Sequence, residues 1–266
     1  METIDPDQPV PVTTASLTAD LVRLGVAPGS VLVVHSSLSS IGYVSGGAHA
    51  VVLALREVLG PGGTLVVPTH STQLSDPAPW ENPPVPEAWW DTIRAMAPAY
   101  DPALTATAGM GAIPDTVRLV PGARRSAHPL YSFCAVGPDA ARVTEGHTPE
   151  RELGEDSPLG RLYELGADVL LLGVGHENNT SLHLAEHRSG TRPVVAQGAP
   201  VLVDGERRWV TFDELDTWSD DFEQVGAAAA VAGLETVGPV GRATARLLPQ
   251  RALVDFATGW FRANRT

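Results

Sequence analysis

Apolar and polar positions along the chain change period several times, and each change marks an element. Leu17, Leu21 and Leu24 recur at helical spacing behind Ser16, an N-cap candidate, until Gly25 and then Pro28-Gly29 stop the run. Residues 31–34, 64–68 and 167–172 are nearly continuous apolar stretches of strand length, the pattern of strands covered on both faces. Helical stretches lie at residues 48–59, 113–120 and 158–165, the last opened by Ser157-Pro158. Residues 124–137 read as a turn that becomes a strand, and residues 194–203 and 208–210 alternate around Asp204-Gly205, a hairpin signal. The strand–helix–strand order predicts an α/β fold: a central mixed, largely parallel sheet with helices on both faces, three layers in all.

The pattern breaks in two places. Residues 1–14 are acidic and proline-bearing and read as a loose arm before a single unit over residues 15–266. A Pro- and Trp-rich excursion over residues 71–100 carries Trp80, Trp89 and Trp90. Excursions of this length inside a compact domain are usually functional, so these rings either wall a ligand groove or pack the loop down.

Composition narrows the function classes. The formal charge is −13, from 31 acidic and 18 basic residues, all of the latter Arg. Phosphate neutralisation needs clustered positive charge, so no nucleic-acid partner is expected; a polycationic ligand would be drawn in. The single cysteine, Cys134, rules out an internal disulfide framework and fits a reducing compartment. The N-terminus lacks the basic start and apolar core of a secretion signal, and no apolar run approaches the roughly 20 residues of a membrane span. A cytoplasmic protein without a membrane partner is expected.

The candidate chemistry concentrates in residues 173–188, GVGHENNTSLHLAEHR. His183 and Glu186 fall three apart in a helical segment, which sets imidazole and carboxylate on one face. Three readings fit this pair. His183 acts as a general base whose tautomer Glu186 fixes; or the two form a satisfied buried pair; or His183 and His187, as HxxEH, share a zinc ion in a hydrolase. No third ligand helix is evident for the last, so no metal is expected and His187 is placed on the outer face. His176, Asn178, Asn179 and Thr180 sit on the loop before the helix, positioned to contact substrate or to cap it.

A second site is the turn from His35 to Ala48, HSSLSSIGYVSGGA, between a strand and a helix. Free backbone N–H groups and the positive helix end attract phosphate there, while Ser36, Ser37 and Ser39 add donors and Gly46 and Gly47 allow close approach. It is neither a P-loop nor GxGxxG, and the chain lacks a GxSxG elbow for serine catalysis. An acidic loop over residues 212–221, with Asp213, Asp216, Asp220 and Asp221, could present carboxylates to several ammonium groups or simply be solvated.

Six segments together resemble the aminoglycoside 3-N-acetyltransferase family, antibiotic acetyltransferases unrelated to the GNAT fold. They are VVHSSLSSIG (33–42), GPGGTLVVPT (60–69), GMGAIPDTVR (109–118), RSAHPLYSFCAVG (125–137), SPLGRLYELGADVLLLGVG (157–175) and HENNTSLHLAEHR (176–188), in family order. After about Gly226 the chain adds little to the match. The resemblance implies acetyl transfer from acetyl-CoA to the 3-amino group of a 2-deoxystreptamine antibiotic, with His183 as base and Glu186 beside it. It implies coenzyme binding by His35, Ser36, Ser37, Leu38, Ser39, Ile41 and Gly42, helped by Met110 and His128. Asp216, Asp213, His176, Asn178 and Glu186 would meet the cationic antibiotic, and Thr69 is the candidate oxyanion donor. A same-fold enzyme for another small amine, the zinc hydrolase and a non-catalytic coenzyme A or polycation binder are the alternatives. Oligomeric state is not encoded in any of these features.

Overall fold

The computed structural model describes residues 10–265, so most of the expected arm, residues 1–9, lies outside the described residues. Nine strands are described: β1 (Val31–Ser36), β2 (Thr64–Pro68), β3 (Arg124–Arg125), β4 (Phe133–Val136), β5 (Asp168–Leu172), β6 (Val194–Val203), β7 (Glu206–Leu215), β8 (Thr236–Val240) and β9 (Ala243–Pro249). Seven form one sheet in the order β3-β4-β2-β1-β5-β9-β8, and β6 and β7 form a separate ribbon. Parallel pairing is confined to the centre, β2-β1-β5; both flanks are antiparallel. The centre is parallel because helices carry the chain across the sheet between those strands, whereas β8 and β9 meet through a short turn at Gly241-Arg242.

The strand side chains alternate between two cores. Leu32, Val34, Leu65, Val67, Leu170 and Leu172 pack on α1 (Thr14–Leu24), α2 (Gly47–Leu59) and, beyond the excursion helix α3 (Trp90–Met96), α4 (Ala112–Arg118). Val31, Val33, Val66, Val169 and Leu171 face the other way. They meet α5 (Ala140–Thr144), α6 (Pro158–Leu165), α7 (Ser181–Ser189), α8 (Phe222–Val231) and α9 (Gln250–Asn264). Burying each such Leu or Val contributes about 1.5–3 kcal/mol, which is why the near-continuous apolar runs became the central strands. The three layers match the fold expected from the sequence.

Local caps differ in detail. Ser16 is not the N-cap of α1: Thr13 is, and Ser16 completes a capping box, with Ser16 N–H donating to Thr13 Oγ1 (3.2 Å) and Thr13 N–H to Ser16 Oγ (2.9 Å). The hairpin turn is Asp204-Gly205, both with positive φ (52° and 80°), the backbone that a two-residue turn requires. From that turn the ladder runs unbroken to Val194↔Leu215. Phe212, Asp213, Glu214 and Leu215 therefore belong to β7, and the acidic loop shrinks to residues 216–221. The excursion packs against this ribbon. Asp76 N–H donates to Gln197 Oε1 (3.0 Å), Tyr100 N–H to Pro200 O (2.9 Å), and Leu74, Tyr100, Leu130, Ala199 and Phe212 share a small core. No helix among the described residues is long and apolar enough to cross a membrane.

This topology fixes where chemistry can occur. β1 pairs with β2 on one side and β5 on the other, so the chain order reverses at β1. Loops leaving the carboxyl ends of parallel strands open a crevice at such a point. Those loops carry the serine-rich turn after β1, Thr69 and His70 after β2, and α7 after β5.

Candidate active site

Helix α7 delivers His183 and Glu186 one turn apart, and the pair closes: His183 Nδ1 lies 2.5 Å from Glu186 Oε2. Glu186 is fully buried, whereas the His183 side chain keeps 16% exposure, so the carboxylate backs a ring that stays open on its other side. Oε1 of Glu186 accepts from Trp218 N–H (3.1 Å) and from the Arg265 guanidinium (2.5 Å). Burial pushes the Glu186 carboxyl up, but the bonds and charges of His183 and Arg265 outweigh it and hold it below its ordinary value. With Nδ1 committed as donor to the carboxylate, Nε2 is left as the acceptor, and among the described residues it has no hydrogen-bond partner. Phe222 packs on the imidazole, ring centroids 5.0 Å apart.

At the ends of β1 and β2 the crevice is lined with neutral groups. His35 is buried, with Nε2 3.4 Å from Thr180 Oγ1 at the head of α7. Burial, and then the neighbouring His183, lower its pKa to about 3, and the same two causes lead for His70. Ser36 Oγ and His70 Nε2 are buried without a partner. Ser37, Ser39 and Ser40 bond to one another (Oγ–Oγ 3.1 and 2.9 Å), and Gly42 bends back with φ 86°. Leu38 packs partly into the core, and Ile41 is wholly buried there, so Ile41 offers a ligand only its backbone. Met110 is partly exposed, just before α4.

Several expected contacts are placed differently. His128 is fully buried; Nδ1 accepts from Leu130 and Tyr131 N–H (3.1 and 3.0 Å) and Nε2 bonds Pro149 O (3.2 Å), leaving no nitrogen for a coenzyme. His176 is also buried, packed against Gly226 of α8 with Nε2 on Glu235 Oε2 (3.2 Å), and so ties the turn before α7 to α8 and the segment entering β8. Thr69 cannot serve as oxyanion donor in this arrangement. Ser132 Oγ donates to Thr69 O (2.6 Å), so the Thr69 hydroxyl proton is left to Ser132 Oγ (3.1 Å), and the residue is wholly buried. Asn178 is exposed and donates to Glu177 Oε1 (2.6 Å); Asn179 caps the helix through Ser181 N–H (3.2 Å).

His187 is not on an outer face. It bonds Glu152 Oε1 (2.8 Å) and lines a notch of about 260 Å³ with Glu150, Glu155, Asp156, Asp213 and Glu214. His183 Nδ1 and His187 Nε2 are engaged by different carboxylates, and among the described residues no group of three or more His, Cys, Asp or Glu is placed to hold a metal ion. Asp213 is exposed on β7; Asp216 is half exposed and bonds Arg192 (2.8 Å). Glu214 Oε1 accepts from Tyr131 OH and Gln197 Nε2 (both 3.2 Å), while Oε2 is buried without a partner. Burial first, then the nearby Glu152 charge, raise Glu214 to about 7 against those two hydrogen bonds.

Sequence reasoning missed Arg265, Trp218 and Phe222 around the His183–Glu186 pair, and took Asp221, which Arg265 grips, for a ligand-facing or solvated carboxylate. Arg265 lies 79 positions from Glu186, so no local spacing announces it. The one available signal was an arginine closing an amphipathic C-terminal helix.

The profile of the aminoglycoside 3-N-acetyltransferase family matches residues 33–262, well past Gly226. The chain is 46% identical to the SPbeta prophage-derived aminoglycoside N(3')-acetyltransferase-like protein YokD of Bacillus subtilis, over 94% of this chain and 93% of that protein. The YokD crystal structure superposes with TM-score 0.94, covering 96% and 95% of the two chains. Aminoglycoside N(3)-acetyltransferase VII of Streptomyces paromomycinus is 38% identical over 94% of this chain and 91% of that one. The structure titled AAC-IIIb binary with CoASH is 30% identical, with TM-score 0.86 and coverage of 96% and 98%. Fold, family profile and full-length relatives agree: the chain belongs to the aminoglycoside 3-N-acetyltransferase family.

Proposed function

We propose that this enzyme acetylates the 3-amino group of 2-deoxystreptamine aminoglycosides from acetyl-CoA by direct transfer, with His183 as general base, and that residues 15–266 act as one catalytic unit. The observation that carries this reading is the closed His183–Glu186 pair, which leaves Nε2 without a protein partner on a partly exposed ring that neighbours His35 and His70 at the carboxyl ends of β1 and β2. A neutral amine is needed to attack a thioester. As the amine nitrogen bonds to the acetyl carbon, His183 Nε2 takes its proton and Glu186 steadies the imidazolium. The C–S bond then breaks, the amide is left on the antibiotic, and the coenzyme thiolate departs with the proton returned by His183.

The turn over residues 36–42 fits the coenzyme. Ser36 Oγ is a buried hydroxyl with no partner, and the glycine backbones at 42, 46 and 47, all of positive φ, leave room for close approach. The antibiotic lies across α7 towards the acidic notch, where its further ammonium groups meet Asp213 and Glu214, with Asp216 on the following loop beside Arg192. CoASH in the AAC-IIIb structure and the name of the Streptomyces relative support the two substrates. The test is thiol release from acetyl-CoA against an aminoglycoside panel, followed by locating the acetyl group on the product. Acetylation at N3 is expected; acetylation of a non-aminoglycoside amine alone would replace the substrate assignment.

A further inference from the structure

We propose that Arg265 is a positioning residue for the reaction: from the end of α9 it locks the Glu186 carboxylate behind His183 and ties residues 216–221 to the same carboxylate. The inference rests on the general-base reading of His183. The Arg265 guanidinium is only 6% exposed and makes four kinds of contact at once. One nitrogen reaches Glu186 Oε1 (2.5 Å); Nε and another grip Asp221 through both oxygens (2.7 and 2.5 Å); that last nitrogen also donates to Trp218 O (2.9 Å). Its flat face lies over Phe261, 3.8 Å from guanidinium carbon to ring centroid. This is the bidentate, stacked use of arginine that lysine cannot copy.

Two consequences follow for catalysis. First, Arg265 and Trp218 N–H both act on Oε1, so Oε2 is the oxygen left for His183 and the ring is held in one tautomer. Second, Asp221 immediately precedes α8, whose Phe222 packs on the imidazole, and Trp218 sits in the loop that carries Asp216. Arg265 thus joins the base, its orienting carboxylate and the loop facing the antibiotic into one unit. The charged groups around His183 are Glu186 on its own helix and, through Glu186, Arg265 beyond α9 and Asp221 before α8. His35 on β1 and His70 beyond β2 also face it, but both are held neutral by burial.

The test compares Arg265→Met and Arg265→Lys with the parent enzyme and with His183→Ala, measuring kcat, both KM values and the pH dependence of kcat/KM. Arg265→Met is expected to lower kcat about 10- to 100-fold with the KM for acetyl-CoA within about twofold, since only the reacting geometry is disturbed. It also removes a cation beside the His183–Glu186 pair, which favours the imidazolium, so the acidic limb of kcat/KM should move up by about one pH unit. Arg265→Lys should restore the limb by restoring the charge, yet leave kcat depressed because it cannot make the fork. Wild-type kcat in folded Arg265→Met, or a loss that tracks a lower Tm with an unmoved limb, overturns the inference. If the Met variant does not fold, wild-type kcat in Arg265→Lys overturns it instead. His183→Ala separates the two claims: retained turnover there sinks the general-base reading, whereas a dead His183→Ala beside a wild-type Arg265→Met sinks only the role of Arg265.

Discussion

Replacing Glu186 with Gln changes one charge and almost no volume, and the surrounding donors dictate how the amide must sit. Oε1 receives Trp218 N–H at 3.1 Å and the Arg265 guanidinium at 2.5 Å. Both are donors, so the glutamine must keep its carbonyl oxygen there and turn its NH2 towards His183 Nδ1. A donor facing Nδ1 forces the proton onto Nε2, and the base then has no lone pair for the amine. The electrostatic loss comes on top of this. A carboxylate and an imidazolium with charge centres about 4 Å apart interact by about 4 kcal/mol at an effective dielectric of 20, or about 10³ in rate. Glu186→Gln is therefore expected to lower kcat by about 10²- to 10⁴-fold, the upper end being the cost of a wrong-tautomer histidine in the serine-protease triad. The KM for acetyl-CoA should be little changed. Steady-state thiol release with a saturating aminoglycoside measures it. A Gln variant within tenfold of wild type, with the same pH profile, would refute the orienting role and reduce the pair to a buried structural contact.

His183→Ala should abolish acetylation while coenzyme binding and the folded state persist; unchanged turnover removes the base. Four buried histidines control acid stability. His35, His70 and His128 are lowered to about 3, and His147 well below its ordinary value, in each case chiefly by burial. A depressed histidine stabilises the fold above the unfolded pKa of about 6.5 and loses that contribution progressively as pH falls from there through the folded value near 3. The urea midpoint should drop steeply between pH 6.5 and 5, with unfolding taking up close to four protons; a flat midpoint there contradicts the burial of these rings. Glu214 carries the opposite sign. Its folded pKa is raised to about 7, so its contribution is lost as pH rises from the unfolded carboxylate range through 7. Glu214→Gln should gain about 1–3 kcal/mol of stability at pH 8 and raise the KM for antibiotics with several ammonium groups about tenfold. Loss of stability, or unchanged KM, argues against a cation-receiving Glu214.

The central strands and the His183–Glu186 spacing were legible because each is a local signal: strands buried on both faces need near-continuous apolar residues, and one helical turn aligns positions three apart. β8 was not legible. Thr236–Val240 contains Gly238 and Pro239 and is largely exposed, a turn-like composition that the sheet accommodates here because β8 is an edge strand. β7 was read short because charged Asp213 and Glu214 look like loop residues, whereas a two-stranded ribbon can leave one face in water. His128 and His176 illustrate a different limit. A histidine in a motif-rich stretch has the same letter whether its nitrogens face a ligand or, as here, a backbone carbonyl and a buried glutamate.

Glu186 and Glu214 explain why a strongly acidic chain does not blur its own site. Both residues are more than nine-tenths buried, yet they are driven in opposite directions. Glu186 has both oxygens engaged, one with His183 and the other with Trp218 N–H and Arg265, so its charge is fixed before any substrate arrives. Glu214 has one oxygen bonded and one free, and stays protonated to about pH 7. A carboxylate that orients a base must not be available to a polycation, or the antibiotic would strip it from the imidazole; one that receives an ammonium must be left short of donors. Pairs of titratable groups separated in this way mark different tasks. In the proposed reaction Arg265 enforces the division, holding Glu186 away from the cations that Glu214 receives.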